Sequence, residues 1–241
     1  MQIYTYENSG RADACRRWLE DRCEHIDTAV VLLPIPSLRG GVACFPPEAL
    51  EHGGAIYVGY GIGAQTMKKL ARGGTILLDC ATDEEFLSEN AALTALGAVG
   101  IILSTSKRAP SELSVGVVGF GRIGSRLVRL LLSLGATVRV YTGSERARLE
   151  LGECGVDTEE SRGDADLTGI DLLVNTAPFP IFLGRREIES GELRVMELAS
   201  GENFSAKVEK YPSLPAKCFP VSAGEAWARS IMRLMEKEGC L

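Results

Sequence analysis

Short apolar runs alternate with amphipathic segments along the first third of the chain and predict alternating strands and helices. The run Thr28–Leu33 is apolar throughout, which is typical of a parallel strand buried on both faces. The other predicted strands are Ile3–Tyr6, Ala55–Val58 and Thr75–Leu78, and the predicted helices are Asp13–Asp21 and Ala64–Ala71. This pattern indicates a small α/β lobe.

The rest of the chain repeats the alternation with longer helices. A capping box at Thr82–Glu85 is predicted to begin a long helix that ends near Leu103, and a second box at Ser222–Glu225 to begin the last helix. Between them, the predicted strands are Val115–Val118, Ala136–Tyr141, Leu172–Asn175, Val195–Leu198 and Cys218-Phe219, and the predicted helix is Arg122–Leu134.

These elements predict an α/β fold with two lobes. The C-terminal lobe is predicted to be a Rossmann-type doubly wound parallel sheet, and the N-terminal lobe a smaller flavodoxin-like α/β domain. The predicted divisions are an N-terminal lobe for substrate or partner at 1–82, a linking helix at 83–106, a dinucleotide-binding domain at 107–221, and a C-terminal helix at 222–241 that packs back towards the N-terminal lobe. Ligands of such sheets bind beyond the carboxyl ends of the strands. The loops Pro34–Gly41, Gly59–Gly63 and Cys80–Thr82 are therefore expected to face the cofactor.

One glycine motif follows a predicted strand directly and opens a predicted helix. In Gly119-Phe120-Gly121-Arg122-Ile123-Gly124, the first glycine permits a tight turn, and the second lets a pyrophosphate approach the backbone. The third lets the helix pack close to the strand, and the helix N-terminus then attracts the phosphates. These six residues are the candidate pyrophosphate site of a nicotinamide dinucleotide.

The end of the next strand bears on the choice between NADP and NAD. A carboxylate there usually holds the ribose 2′-hydroxyl of NAD. This strand ends at Tyr141 and Thr142 without a carboxylate, and Ser144 and Arg146 follow. Hydroxyl and guanidinium groups suit a 2′-phosphate, so the sequence favours NADP. Glu145 keeps NAD open, because a small loop shift would bring it to the ribose.

Two further strand ends supply candidate cofactor contacts. Asn175, Thr176, Ala177 and Pro178 follow one strand and are expected beside the ribose and nicotinamide. A turn in which the polar side chains of this segment bond only their own backbone is the alternative. The second strand end carries small residues, Ala199 and Ser200, which would let a nicotinamide ring lie flat.

Composition narrows the classes of protein without naming a reaction. The chain has 241 residues and a net charge of −6, which argues against a nucleic-acid surface and against an anionic membrane. The apolar run Ala91–Leu103 is shorter than a membrane span. Seven cysteines without a C-x-x-C motif, together with two separate histidines, make a metal site and a disulfide framework unexpected. The cytoplasm is the expected compartment.

The histidine positions weigh against one common enzyme with this layout. A D-2-hydroxyacid dehydrogenase uses a histidine after the nucleotide-binding lobe as its proton donor and acceptor. Here His25 and His52 both precede the glycine motif. Two alternatives stay open: such an enzyme with displaced catalytic groups, and a non-catalytic module that senses NAD(P). No catalytic residue can be assigned.

Several short segments, in their order and spacing, resemble the first of the two subunits of dipicolinate synthase. They are Asn90–Gly97, Val117–Gly124, Asp171–Pro178, Glu197–Ser200 and Phe219–Gly224. The resemblance implies an NADP-dependent oxidoreductase of spore-forming bacteria, active during sporulation, that oxidises a dihydrodipicolinate-type ring. It also implies the second, flavoprotein-like subunit as partner, and we expect a homo-oligomer. The chain departs from the family pattern at Leu93 and Leu96, where that pattern carries Pro and Glu.

A small dicarboxylate substrate requires cations and hydrogen-bond donors. Arg39, after the second strand, is the first candidate, and Lys107 and Arg108 are reserves. Backbone N–H groups at Gly59 and Gly61 and the phenol of Tyr60 are candidate donors. Asn90 and Thr94 lie one turn apart on the linking helix and can share a face.

Overall fold

The protein forms two compact units of α/β structure. The computed structural model describes residues 1–23, 27–63, 75–161, 165–205 and 207–240. The first unit contains 1–93 and 215–241, and the second contains 94–214. The helix predicted at Ala64–Ala71 and the residue His25 lie outside the described residues.

The first unit is built on a parallel sheet. Its helices are α1 (Gly10–Arg22), the start of α2 (Glu84–Thr105) and α7 (Pro220–Lys237). Its strands are β1 (Ile3–Thr5), β2 (Val30–Leu32), β5 (Ile56–Gly59) and β6 (Ile76–Asp79), in the order β1-β2-β5-β6, with an antiparallel hairpin of β3 (Leu38–Arg39) and β4 (Val42–Ala43). The predicted α/β class is confirmed. The strand order is sequential, whereas a flavodoxin sheet places its first strand inside.

Helices α1 and α7 pack closely because one glycine removes a side chain from their contact. A Cβ atom at Gly224 would lie 2.4 Å from the carbonyl oxygen of Arg11. Trp227 and Ile231, further along α7, are fully buried in the same core as Leu19 of α1. The C-terminal helix is therefore part of the first unit's hydrophobic core.

The second unit is a doubly wound parallel sheet of six strands, as predicted. Its strands are β7 (Ser114–Val118), β8 (Thr137–Tyr141), β9 (Asp157–Glu159), β10 (Leu172–Asn175), β11 (Arg194–Glu197) and β12 (Glu209–Lys210). Its helices are α3 (Arg122–Ser133), α4 (Glu145–Glu153) and α5 (Arg185–Glu189), and α6 (Leu214–Cys218) begins at its last residue and continues into the first unit. In the strand order β12-β11-β10-β7-β8-β9, the chain adds strands on one side of β7 up to β9 and on its other side from β10 to β12, so the order reverses between β7 and β10. That reversal is the switch point where such sheets bind ligands.

Three local predictions are wrong, each for a local physical reason. Cys218 ends helix α6 instead of belonging to a strand. Asp83, and not Thr82, caps α2, because its Oδ1 accepts from the N–H of Glu85 at 3.1 Å. The Thr82 hydroxyl donates instead to the carbonyl of Asp79 at 2.8 Å. Ser222 lies inside α7, which begins two residues earlier at Pro220, a residue suited to the first helical turn.

Helix α2 is more apolar than the sequence prediction allowed for. Its length of 22 residues and the mean hydropathy of 1.6 in an 18-residue window would suffice to cross a membrane, a test that core helices of soluble proteins also pass. Ala95, Ala98, Val99 and Ile102 pack in the hydrophobic core of the second unit. Packing in this core thus accounts for part of the apolar composition of α2.

Candidate functional site

The glycine motif forms a tight turn between β7 and α3 at the switch point. Gly119 has a φ of +89°, a conformation that residues with a side chain rarely adopt. Its N–H donates to the carbonyl of Tyr141 at 2.8 Å, which fixes the turn to the end of β8. The turn therefore delivers the first turn of α3, with its unsatisfied backbone N–H groups, to the carboxyl edge of the sheet.

The three glycines of the motif are required for three different reasons. A Cβ atom at Gly124 would lie 2.2 Å from the carbonyl oxygen of Gly119, so helix and turn could not approach as they do. At Gly119 a Cβ would lie 2.9 Å from Oγ1 of Thr176. At Gly121 a Cβ would meet no atom within 4 Å in the part of the chain that the structure describes, so this position faces open space. The turn thus fits a group that approaches the backbone from outside, as a dinucleotide pyrophosphate does.

That open space is a cleft of about 960 Å³ within the second unit. Its size lies at the upper end of the range for small-molecule sites. The lining comes from the glycine turn, the end of β8, one residue after β9 and the loop after β10: Gly119, Phe120, Gly121, Thr142, Gly143, Ser144, Ser161, Thr176, Ala177, Pro178, Phe179, Pro180 and Phe182. Among these described lining residues, none carries a carboxylate.

Thr176 connects the loop after β10 to the glycine turn. Its hydroxyl donates to the carbonyl of Val118 at 2.9 Å and lies 3.3 Å from the carbonyl of Gly119. Its N–H also donates to Val118, at 2.9 Å. Thr176 lines the cleft as expected, but its polar atoms hold the turn in shape.

The end of β8 presents hydroxyl groups to the cleft. Thr142 is buried, and its N–H donates to the carbonyl of Glu159 at 3.0 Å. Ser144 is exposed and caps α4, with its Oγ accepting from the N–H of Ala147 at 3.2 Å. Ser161, which the sequence prediction missed, joins these two residues in the lining. Together they form a polar wall with three hydroxyls.

Two predicted contacts at this strand end lie away from the cleft. The Tyr141 ring is fully buried beneath the sheet, its hydroxyl donates to the carbonyl of Asp166 at 2.8 Å, and burial raises its pKa to about 12. The Arg146 side chain is 88% exposed and pairs with Glu150 of the same helix at 2.7 Å. Arg148 donates to the carbonyl of Thr142 at 2.6 Å, so it supports the strand end.

Within the glycine motif, the lining includes the first three residues and leaves out the next three. Phe120 is half-buried and lines the cleft. Arg122 is exposed and Ile123 half-buried, and neither is among the residues of the lining. The carbonyl of Arg122 accepts from Arg126 one turn along α3 at 2.8 Å. Arg122 and Ile123 can contribute to a phosphate site through their place in the first helical turn.

Asn175 belongs to a buried polar network and not to the cleft wall. Its Nδ2 donates to Oε1 of Glu197 at 2.9 Å, and its Oδ1 accepts from the N–H of Ala177 at 3.0 Å. Glu197 also accepts from Nδ2 of Asn203 at 3.3 Å. Burial raises the pKa of the Glu197 carboxyl, and hydrogen bonds from Ala199, Asn203 and Asn175 offset part of the rise. The alternative of an Asx turn describes Asn175 correctly.

The same network fixes the loop that holds the small-residue candidates. The N–H of Ala199 donates to Oε1 of Glu197 at 2.9 Å, and the carbonyl of Ser200 accepts from Asn203 at 3.2 Å. Neither Ala199 nor Ser200 is among the residues that line the cleft. Glu197 therefore shapes both loops at this end of the sheet, a role that the sequence prediction missed.

In the first unit, the candidate donors at Gly59–Gly61 are occupied by the protein itself. The Asp79 carboxylate accepts from the N–H of Gly61 at 2.8 Å, of Ile62 at 2.9 Å and of Ala81 at 2.9 Å. Gly59 has no space for a side chain, since its Cβ would lie 2.1 Å from the side chain of Ile62. The N–H of Gly61 is therefore already bonded within the protein.

Tyr60 is likewise tied into the first unit. Its N–H donates to Oγ of Ser37 at 2.8 Å, and its ring packs edge-on against Phe86 with centroids 6.2 Å apart.

A buried ion pair between Glu7 and Arg11, 2.7 Å long, lies at the end of β1. Glu7 also accepts from the N–H of Ile35 at 3.0 Å. The sequence prediction missed this pair, although Glu7 and Arg11 stand four residues apart.

None of the remaining substrate candidates is among the described residues that line the cleft. Arg39 is exposed on the β3–β4 hairpin, and Lys107 is exposed after α2. Arg108 pairs with Asp171 at 3.0 Å. On α2, Thr94 is buried and Asn90 is half-buried, and both already have polar or electrostatic partners.

Comparison with known proteins places this geometry in a known fold. No protein-family model and no curated protein matches the chain. The first subunit of dipicolinate synthase from Bacillus halodurans matches with a TM-score of 0.76 at 20% identity, over 97% of each chain. The corresponding chain of dipicolinate synthase from Bacillus subtilis matches with a TM-score of 0.74 at 17% identity, over 98% of this chain and 96% of that chain.

A third structure extends the likeness to another enzyme. The transhydrogenase from Sinorhizobium meliloti matches with a TM-score of 0.64 at 16% identity, over 98% of this chain and 92% of that chain. At such identities the likeness shows the fold. The chain thus shares the fold of these three proteins, and its suspected resemblance to the first subunit of dipicolinate synthase is confirmed at the level of fold.

Proposed function

We propose that the chain is an NADP-dependent oxidoreductase subunit of the dipicolinate synthase type, which oxidises a dihydrodipicolinate-type ring to dipicolinate. The observation that carries the proposal is the glycine turn, with Gly121 open to a cleft of about 960 Å³. Such a turn fits a dinucleotide pyrophosphate. The fold shared with the first subunit of dipicolinate synthase supports the substrate class.

The chemistry divides between the cofactor and the chain. Oxidation of a dihydropyridine-type ring to an aromatic ring removes one hydride and one proton, and a bound nicotinamide supplies the hydride acceptor. The chain would hold the pyrophosphate at Gly119–Gly124 and the adenosine ribose near Thr142 and Ser144. The group that takes the proton is not assigned.

NADP is favoured over NAD by the hydroxyls of the cleft wall. Thr142, Ser144 and Ser161 suit a 2′-phosphate, and the described lining has no carboxylate to repel one. We expect NADPH to bind at least about tenfold more tightly than NADH, a difference of about 1.4 kcal/mol. Titration calorimetry measures both dissociation constants, and a tenfold preference for NADH would contradict this part of the proposal.

A substitution at Ser144 tests the same point without unfolding α4. Ser144→Asp keeps a good N-cap residue and adds a carboxylate beside the expected 2′-phosphate. NADPH affinity should fall about tenfold or more, while NADH affinity stays within about threefold. Ser144→Asn is the matched control, because it also caps a helix but carries no charge. Equal losses for both nucleotides in Ser144→Asp would argue against a 2′-phosphate at this position.

The reaction is tested by dipicolinate formation. The purified chain is supplied with NADP and a freshly generated dihydrodipicolinate-type substrate, with and without a co-expressed flavoprotein-like second subunit. The appearance of dipicolinate and of NADPH absorbance supports the proposal. Tight NADPH binding without oxidation under either condition would favour the sensing module, and reduction of a pyruvate-like acid would favour the hydroxyacid dehydrogenase.

The proposal includes further elements that need their own tests. A small dicarboxylate substrate is expected to need Arg39, so Arg39→Ala should raise its KM about tenfold relative to Arg16→Ala on helix α1.

Association with the flavoprotein-like subunit and self-association are measured by light scattering, and exposed Leu96 and Leu103 on α2 support a homo-oligomer. Cytoplasmic location and a role in sporulation belong to the same proposal.

A further inference from the structure

Two phenylalanines line the nucleotide cleft and are exposed there. Phe179 is 47% exposed and Phe182 is 75% exposed, in the loop Pro178–Leu183 that follows β10. Both belong to the lining of the cleft, together with Pro178 and Pro180. Large aromatic side chains left in water at a cleft usually mark a contact with a ligand or partner.

The exposure of Phe182 is imposed by its neighbours in the chain. Ile181 and Leu183 are both buried in the core beneath the sheet, in the same cluster as Leu193 and Val195. The N–H of Ile181 also donates to the carbonyl of Asn203 at 2.7 Å. Because the residues on both sides point inward, the ring of Phe182 is directed away from the core.

The position of the loop identifies the part of the nucleotide that it meets. Strand β7 lies between β10 and β8, so the loop after β10 and the end of β8 flank the glycine turn. The cleft joins this loop to Thr142, Ser144 and Ser161, and it leaves out Ala199 and Ser200 beyond β11. The cleft therefore corresponds to the adenosine half of a dinucleotide, with the pyrophosphate at Gly121.

We propose that Phe182, assisted by Phe179, forms an aromatic wall against which the adenine ring of the nucleotide stacks. The inference rests on the proposed function, since it assumes a nicotinamide dinucleotide in this cleft. Adenine is flat and has a π-face, and stacking on an aromatic side chain contributes strongly to the binding of a base. The hydroxyls after β8 then contact the ribose, and the rings contact the base.

The test separates the two halves of the cofactor. Adenosine 2′,5′-bisphosphate represents the adenosine half of NADPH, and reduced nicotinamide mononucleotide represents the other half. In Phe182→Ala, affinity for NADPH and for adenosine 2′,5′-bisphosphate should fall about tenfold, and more in the Phe179→Ala/Phe182→Ala double variant. Affinity for reduced nicotinamide mononucleotide should change less than about twofold. Titration calorimetry measures all three.

Two further variants serve as controls for indirect effects of the substitution on binding. Phe182→Trp keeps an aromatic face and should bind adenosine 2′,5′-bisphosphate within about threefold of the wild type. Leu149→Ala removes another exposed apolar side chain, 64% exposed on α4 and outside the cleft lining, and should bind like the wild type. Because Phe182 is exposed, Phe182→Ala should also melt within a few degrees of the wild type.

A direct contact has a spectroscopic signature. In the wild type, nuclear Overhauser effects should join the aromatic ring protons to H2 or H8 of adenine, and Phe182→Ala should lose most of them. The inference is overturned if the double variant binds adenosine 2′,5′-bisphosphate within twofold of the wild type. It is overturned together with the proposed function if the wild type binds neither NADPH nor NADH. Tight binding without dipicolinate formation would leave the aromatic wall supported and count against the proposed reaction.

Discussion

Each unit has a glycine-rich turn directly after a buried parallel strand, and the two turns differ in what they meet. In the first unit, the turn at Gly59–Gly63 follows β5, and its N–H groups at Gly61 and Ile62 bond the carboxylate of Asp79. In the second unit, the turn at Gly119–Gly124 follows β7, and Gly121 faces an open cleft. The protein thus supplies its own anion to the first turn, whereas the second turn is open to a ligand from outside.

Removal of the Asp79 carboxylate, which bonds the first turn, should cause the largest loss of stability. Asp79→Ala leaves the N–H groups of Gly61, Ile62 and Ala81 without their acceptor. Since each buried unsatisfied group costs about 1–3 kcal/mol, we expect a loss of about 4 kcal/mol in the free energy of unfolding. Urea denaturation measures it. The proposed adenosine site lies wholly in the second unit, so affinity for adenosine 2′,5′-bisphosphate should hold in the folded protein.

Asp27→Ala is the control for this prediction. Asp27 is an exposed aspartate of the same unit, and its removal should change stability by less than about 0.5 kcal/mol. If Asp79→Ala is as stable as Asp27→Ala, the carboxylate does not hold the turn, and the contrast between the two turns disappears.

In the second unit, the largest effect is expected at Gly124. A methyl group there would lie 2.2 Å from a backbone carbonyl, which cannot move without opening the turn. Gly124→Ala should therefore lower stability by about 3 kcal/mol, at the upper end of ordinary overpacking. Thermal denaturation with circular dichroism measures the loss, and a melting temperature equal to that of the wild type would show that helix and turn can separate freely.

The difference between the two turns was only partly predictable from the sequence. The motif Gly119–Gly124 could be recognised because its three glycines, the preceding strand and the following helix are all local features. The occupation of Gly61 by Asp79 could not, because the carboxylate comes from β6, 18 residues away, and only the sheet register brings it near. Local pattern predicts a turn, and tertiary pairing decides whether its N–H groups are available.

The same limit explains the misplaced site residues. The sequence predicts where the strands end, but not the face on which each side chain at a strand end lies. At the end of β8, Tyr141 turns into the core, while Thr142 lines the cleft. Arg146 was taken as a phosphate contact, yet a glutamate four residues on pairs with it on the helix surface. The loop Pro178–Leu183 carried an overlooked signal, since the exposed Phe182 stands between the buried aliphatic residues Ile181 and Leu183.

Gly121 permits a test of ligand approach that does not disturb the fold. A Cβ atom at this position contacts no atom of the described residues within 4 Å, and the φ of −85° at Gly121 is accessible to alanine. Gly121→Ala should keep the wild-type stability within about 0.5 kcal/mol and weaken NADPH binding at least about tenfold. Gly152→Ala is the matched control, because it also adds a methyl group in open space, on α4. Unchanged NADPH affinity in Gly121→Ala would place the phosphates elsewhere.

The smallest effect concerns Glu197, the buried carboxylate of the second unit. Like Asp79 it accepts several N–H groups, but it stands at the end of β11 and holds the loops after β10 and β11 instead of the glycine turn. Glu197→Gln replaces an acceptor by a donor facing another donor, and stability should fall by about 1 kcal/mol. The exposed Glu202, which pairs with Lys210, provides the control variant Glu202→Gln.

The pH dependence of the stability loss in Glu197→Gln tests whether the Glu197 carboxyl is responsible for it. Burial raises the pKa of Glu197 above its ordinary value of 4.5, so the folded state keeps its proton to a higher pH than the unfolded chain does. Wild-type stability contributed by this group is then fully present below pH 4.5 and is lost as pH rises through the raised pKa. Glu197→Gln lacks the titration, so its deficit against the wild type should be larger at pH 4.5 than at pH 8. A deficit that stays constant or grows with pH would contradict a raised pKa for Glu197 in the folded state.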